Sequence, residues 1–199
     1  MLSNISKALS EGEFESDVYL SLDEIQINHE KLILTIIVTY EEDDEPLQVW
    51  QVTCSEYRGH KLNVNYFEEF EVLEDHVFLW EYNYNSADLF FKGVCKNVSQ
   101  TIGELFVGHS NMVDGQLPLE TYLNNNYNTI DIRRLLTQGE GLFSTGPVNV
   151  MKVYEKILSN SGLKTSIIEF PNNDCTKYKI FMFGDSYVVA EDFDAFQIM

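Results

Sequence analysis

Apolar and polar residues alternate through much of the first half of this chain. Glu24–Asn28 (EIQIN) alternates, Lys31–Tyr40 (KLILTIIVTY) is dense in β-branched side chains, and Leu47–Cys54 (LQVWQVTC) alternates again. Residues two apart on a strand share a face. The last run therefore puts Gln48, Trp50, Val52 and Cys54 on one side and Leu47, Val49, Gln51 and Thr53 on the other. With His29-Glu30 as a turn, these three runs predict an antiparallel meander. Asn63–Asp75 fits two periods: Phe67, Phe70 and Leu73 form a helical stripe, while Phe70 and Val72 alternate with Glu69 and Glu71. His76–Tyr84 (HVFLWEYNY) and Asp88–Val94 (DLFFKGV) predict two further strands about a turn at Asn85-Ser86.

The middle of the chain changes period. Val98, Ile102, Leu105 and Phe106 recur at helical spacing, and Asn97 suits the N-cap. A short turn at Leu119–Leu123 precedes TIDIRRLLTQG, which Thr129 can cap and Gly139 can end. After Pro147, which suits a first helical turn, Val148, Met151, Tyr154, Ile157 and Leu158 form one apolar face, and Gly162 stops the helix. Strands return at Lys164–Phe170, Tyr178–Gly184 and Ser186–Phe193, with Gly184-Asp185 as a hairpin turn. The order predicts an α+β fold: a mostly antiparallel sheet with an N-terminal β meander, a central helical block and a C-terminal β hairpin. One domain over residues 1–199 is expected; the alternative divides it into a β-rich lobe, 1–95, and a helical lobe with the hairpin, 96–199.

Charge narrows the range of functions. The chain has 32 acidic and 13 basic residues, a net charge of −19 with histidine neutral. Residues 1–100 hold 20 acids and 6 bases, and residues 101–199 hold 12 and 7. Such a balance disfavours nucleic-acid backbones and anionic membranes, which are bound through clustered Lys and Arg. It favours a basic protein partner, because opposite fields steer encounter. The N-terminal segment lacks the apolar core of a signal peptide, and the longest apolar run, Leu32–Val38, is too short to span a bilayer. Cys54, Cys95 and Cys175 are odd in number and widely spaced, as expected of free thiols in a reducing cytoplasm.

The candidate chemistry is sparse. Glu41, Glu42, Asp43, Asp44 and Glu45 run up to Pro46 between two β-like segments. Contiguous acids splay, whereas a calcium loop spaces its ligands and turns at a glycine, so no metal site is expected there. The run reads as a solvated hairpin tip, or as a docking feature for a basic partner. Trp80, Tyr82 and Tyr84 fall on one side of a predicted strand, the preferred place for an exposed contact surface. Gly141 and Gly146 have the spacing of a phosphate loop, but Pro147 and Val148 stand where the lysine and an amide are needed. A plain helix-to-helix connection is expected instead. His29, His60, His76 and His109 have no metal-ligand spacing, and Cys54 with His60 matches no catalytic signature. Acidic pairs occur at Glu68, Glu69, Glu71, Glu74 and Asp75, and at Glu191, Asp192 and Asp194. No cofactor motif is present. The expectation is a non-enzymatic acidic protein that binds a basic protein as an inhibitor, an immunity-type antidote or an adaptor. The alternatives are a small hydrolase using carboxylates or Cys54, and a small-ligand module lined by Trp80 and Tyr82.

Overall fold

The computed structural model describes residues 5, 7, 18–28, 31–40, 45–63, 66–124, 132–172 and 177–199. The fold is α+β, and the chain divides into two compact units, Met1–Leu79 with Thr176–Met199 and Trp80–Cys175. In the first unit the chain forms β1 (Val18–Asn28), β2 (Lys31–Tyr40), β3 (Gln48–Ser55), β4 (Gly59–Lys61), β5 (Tyr66–Phe67) and β6 (Phe70–Leu73). The second unit holds α1 (Trp80–Asn83), β7 (Ser86–Lys92), α2 (Val98–Met112), α3 (Ile132–Thr137), β8 (Glu140–Pro147), α4 (Val148–Asn160) and β9 (Lys164–Phe170). The chain then returns to the first unit with β10 (Lys179–Phe183), β11 (Ser186–Ala190) and β12 (Asp192–Gln197).

The first unit contains a five-stranded sheet, β12-β3-β2-β1-β5, and a four-stranded sheet, β4-β11-β10-β6. Every pairing is antiparallel. The alternation predicted for β3 holds, with Trp50, Val52 and Cys54 buried. Antiparallel register carries that inner face across the sheet. Cys54 lies between Leu32 and Phe193, and Val52 between Leu34 and Ala195. Beyond them Ile36 stands opposite Leu22, and Val38 opposite Leu20. Phe181, Phe183, Val188 and Ala190 of the four-stranded sheet join the same apolar cluster. Full burial of each Val, Leu, Ile or Phe side chain in this cluster stabilises the fold by about 1.5–3 kcal/mol. A bulge at Asp23 resets β1, so that Ile25 returns to the inner side opposite Leu34. The turn proposed at His29-Glu30 lies outside the described residues.

Two strands read from the sequence are corrected here. Ser186–Phe193 is not one strand: β11 stops at Ala190, and β12 begins at Asp192 in the other sheet. Glu191 and Asp192 are both exposed, so strict alternation fails and the chain changes sheets at that point. His76–Tyr84 is not a strand either. A 3-10 turn at Val77–Leu79 runs into the single helical turn of α1. Trp80 and Tyr84 are four apart, a spacing that serves a helical turn as well as it serves one side of a strand. Asn63–Asp75 resolves toward its extended reading, with Phe70–Leu73 paired to β10.

In the second unit β7 is the middle strand of the sheet β8-β7-β9. Its inner side chains Ala87, Leu89 and Phe91 join Val150, Met151, Tyr154 and Leu158 of α4 in one core. Asn97 caps α2 as expected, its Oδ1 accepting from the Gln100 amide at 3.2 Å. Pro147 occupies the N-cap of α4, and Gly162 follows the helix at φ +87°. Ser86 stands opposite Phe170, so the segments that begin and end the unit run side by side. Asn172 fastens them: its Nδ2 donates to the Tyr82 carbonyl at 2.6 Å, and its amide donates to Asn85 Oδ1 at 2.9 Å.

Gly139–Pro147 is not a helix-to-helix loop: Glu140–Pro147 is β8, paired with β7. A bulge opposite Leu89 and Phe90 lets adjacent Phe143 and Ser144 both be buried. Gly146 is needed for packing. A Cβ there would lie 2.5 Å from Cδ1 of the buried Tyr122 ring.

His109, on α2, is 2% exposed and bonded at both ring nitrogens. The Leu117 carbonyl, 2.9 Å from Nε2, can only accept, so Nε2 carries the proton. Nδ1 then accepts from the Tyr154 hydroxyl at 2.7 Å. Burial, with smaller contributions from Tyr122 and Glu120, raises the Tyr154 phenol and keeps it a donor. Tyr154→Phe should therefore leave a buried nitrogen without its donor and cost about 1–3 kcal/mol in urea denaturation. Gly146→Ala should cost a similar amount, about 1–3 kcal/mol, by overpacking against Tyr122. An unchanged midpoint in either variant would contradict the packing described.

Candidate functional site

A concavity among the described residues of the first unit lies where its two sheets end. β5 is the last strand of one sheet and β6 the last strand of the other, and Glu68 and Glu69 link them. Phe67 and Phe70 anchor this step. Phe67 packs on Phe183 with ring centroids 5.2 Å apart, and Phe70 meets Phe181 edge-on at 5.8 Å. The turn between β10 and β11 presses on the same place: Gly184 sits at φ +52°, and a Cβ there would lie 3.1 Å from the Phe67 Cβ.

Around these rings opens a groove of about 810 Å³ lined by Tyr19, Tyr66, Glu68, Glu69, Glu71 and Met182, with Phe67, Phe70, Phe183 and Gly184. Tyr66 is 73% exposed, and its ring meets that of Tyr19 edge-on at 6.3 Å. No basic residue is among the described residues that line the groove. Glu68, Glu69 and Glu71 have no ion-pair partner among the described residues. The combination of ring faces and uncompensated carboxylates suits positive charge.

The structure distributes the sequence candidates as follows. Glu41, Glu42, Asp43 and Asp44 lie outside the described residues, and Glu45 is exposed. The acidic run connects β2 to its antiparallel neighbour β3. Trp80, Tyr82 and Tyr84 do not form a row on a strand. On α1 and the residue after it, Trp80 and Tyr84 touch edge-on, with centroids 6.3 Å apart. Helical spacing turns Tyr82 about 200° away from Trp80. Trp80 packs against the core of the second unit, and Tyr84 is 43% exposed.

Cys54 and His60 do not come together as nucleophile and base. Cys54 is fully buried, whereas His60 is exposed on β4, its ring 5.9 Å from that of Tyr57. Gly141 and Gly146 lie within a strand and form no phosphate cradle. Asp192 reaches Lys179 at 3.4 Å, on the surface. Among the described residues no group of three or more His, Cys, Asp or Glu side chains could hold a metal ion. No described helix is long and apolar enough to cross a membrane.

In the sequence Glu68, Glu69 and Glu71 stand out as paired acids, and Glu69 and Glu71 as the polar side of an alternating run. Tyr19 comes from β1 and Met182 from β10, and no local pattern associates them with Tyr66. No protein-family model, curated protein or solved structure matches this chain.

Burial without a charged partner pushes the Cys54 thiol up to about 12. Two outcomes are expected. Iodoacetamide at about pH 8 should leave Cys54 unmodified in the folded protein and modify it once the protein is denatured, as read by peptide mass spectrometry. Stability should also fall as pH rises from about 9, where the unfolded thiol ionises, toward 12, and Cys54→Val should flatten that fall.

Proposed function

We propose that the protein is a non-enzymatic interaction protein whose first unit engages a basic protein partner in the cytoplasm, as an inhibitor, an immunity-type antidote or an adaptor does. One observation carries this reading: the charge is segregated between the units. Residues 1–79 and 176–199 contain 22 acidic and 6 basic side chains, a balance of −16, whereas residues 80–175 contain 10 and 7, a balance of −3. Acidity that served solubility alone would have no reason to gather in one unit. A field concentrated there accelerates and orients encounter with a basic surface, and it repels phosphate backbones. The groove at β5 and β6 opens in this same acidic unit. The acidic run Glu41–Glu45 and the rings of Trp80, Tyr82 and Tyr84 are further candidate contacts.

The test is affinity capture from the native host's lysate at low and then physiological salt, read by mass spectrometry. A single stoichiometric basic protein that elutes as salt rises supports the reading. Capture of no specific protein at either salt overturns it. With a captured partner in hand, Glu42→Lys, Asp43→Lys and Asp44→Lys together should slow association about tenfold at low salt. An unchanged on-rate would remove the acidic run from the encounter surface.

A further inference from the structure

We infer that the groove between β5 and β6 receives an arginine side chain presented by the basic partner, an inference that rests on the functional reading above and gives it a contact point. Three independent properties of the groove converge on a guanidinium.

The first is shape. About 810 Å³ is within the range of sites that take small ligands, and it accommodates a side chain with its flanking backbone.

The second is the aromatic wall. Tyr66 projects from a two-residue strand at 73% exposure, held edge-on by Tyr19. A ring left this open to water presents a face on which a planar cation can stack, and the weakly hydrated plane of arginine does so more readily than the compact, strongly hydrated ammonium of lysine. The same unit already makes this contact internally. The Arg58 guanidinium lies 5.3 Å from the Tyr178 ring centroid, and its Nε donates to the Tyr178 hydroxyl at 2.8 Å.

The third is charge. Glu68, Glu69 and Glu71 repel one another across one short segment, with no cation among the described residues lining the groove. A guanidinium relieves that repulsion and offers a fork of N–H donors that matches carboxylate geometry. A metal ion is the poorer occupant, because these carboxylates do not converge into a ligand set. The groove between α2 and α4, lined by Val107, Val153 and Ile157, is apolar and offers no such complementarity.

The experiment titrates the full chain with an arginine-rich peptide and with a lysine-rich peptide of equal length and charge at low ionic strength, following amide shifts and affinity. The arginine peptide should bind about fivefold more tightly. Its shifts should centre on Tyr19, Tyr66 and Glu68–Glu71. Tyr66→Ala should abolish the preference for arginine, and Tyr66→Phe, which keeps the ring, should preserve it. Glu68→Gln, Glu69→Gln and Glu71→Gln together should weaken both peptides about tenfold. Arginine-peptide binding unchanged by Tyr66→Ala and by the triple variant would overturn the groove and leave the charge-driven reading standing. Absence of binding by either peptide at low ionic strength would overturn both.

Discussion

The first unit depends on one contact, the pairing of β12 with β3. Asp192 stands opposite Ser55 and Gln197 opposite Trp50, so strands well over a hundred positions apart must find each other. The pairing puts Phe193 beside Cys54 and Ala195 beside Val52, completing the buried layer that runs through β2 into β1. Without β12, β3 would be an open edge, and the thiol of Cys54 would lose a cover. The entropy of bringing distant segments together rises only slowly with their separation, whereas the buried area gained is large. Such non-local pairings cost folding speed more than stability.

Closing one edge of the five-stranded sheet with β12 leaves β5 at its other edge, and β6 stands at an edge of the four-stranded sheet. Both are short, two and four residues, and exposed carboxylates stand at Glu71 of β6 and at Glu68 and Glu69 in the link between them. Short edges and charge are the ordinary means by which sheets avoid pairing with one another. The same carboxylates line the groove beside the Tyr66 ring, the feature on which the proposed cation contact rests. On the proposed reading, the residues that would keep this edge from pairing with a second copy are also those that would draw in a cationic chain, because copies of an acidic unit repel one another.

Much of the fold was legible in local pattern. The ends of β2 and β9 fall where alternation and turn residues put them, and Asn97 and Gly184 act as their chemistry requires. Failures occurred where a local signal served two structures. Trp80 and Tyr84 satisfy both a strand and a helical turn, and Gly141 and Gly146 looked like a loop because the ring that fills the space at Gly146, Tyr122, lies far off in sequence. Val18–Leu22 escaped notice because the bulge at Asp23 interrupts the alternation that continues beyond it. The groove was the least legible feature. Its carboxylates stand in plain sequence, but Tyr19 and Gly184 reach them only through pairings of β1 with β5 and of β10 with β6.

The bonds that fasten the two ends of the second unit have a consequence for how the whole chain can assemble. Once Ser86 lies beside Phe170 and Asn172 is bonded to Tyr82 and Asn85, the chain leaves that unit where it came in. A loop from Leu73 of β6 to Ile180 of β10 then behaves, in entropy, as one made only of residues 74–85 and 171–179. A long insertion that closes on itself in this way acts as a knot in a rope: it adds material without adding slack, and the strands on either side meet as if they were near neighbours.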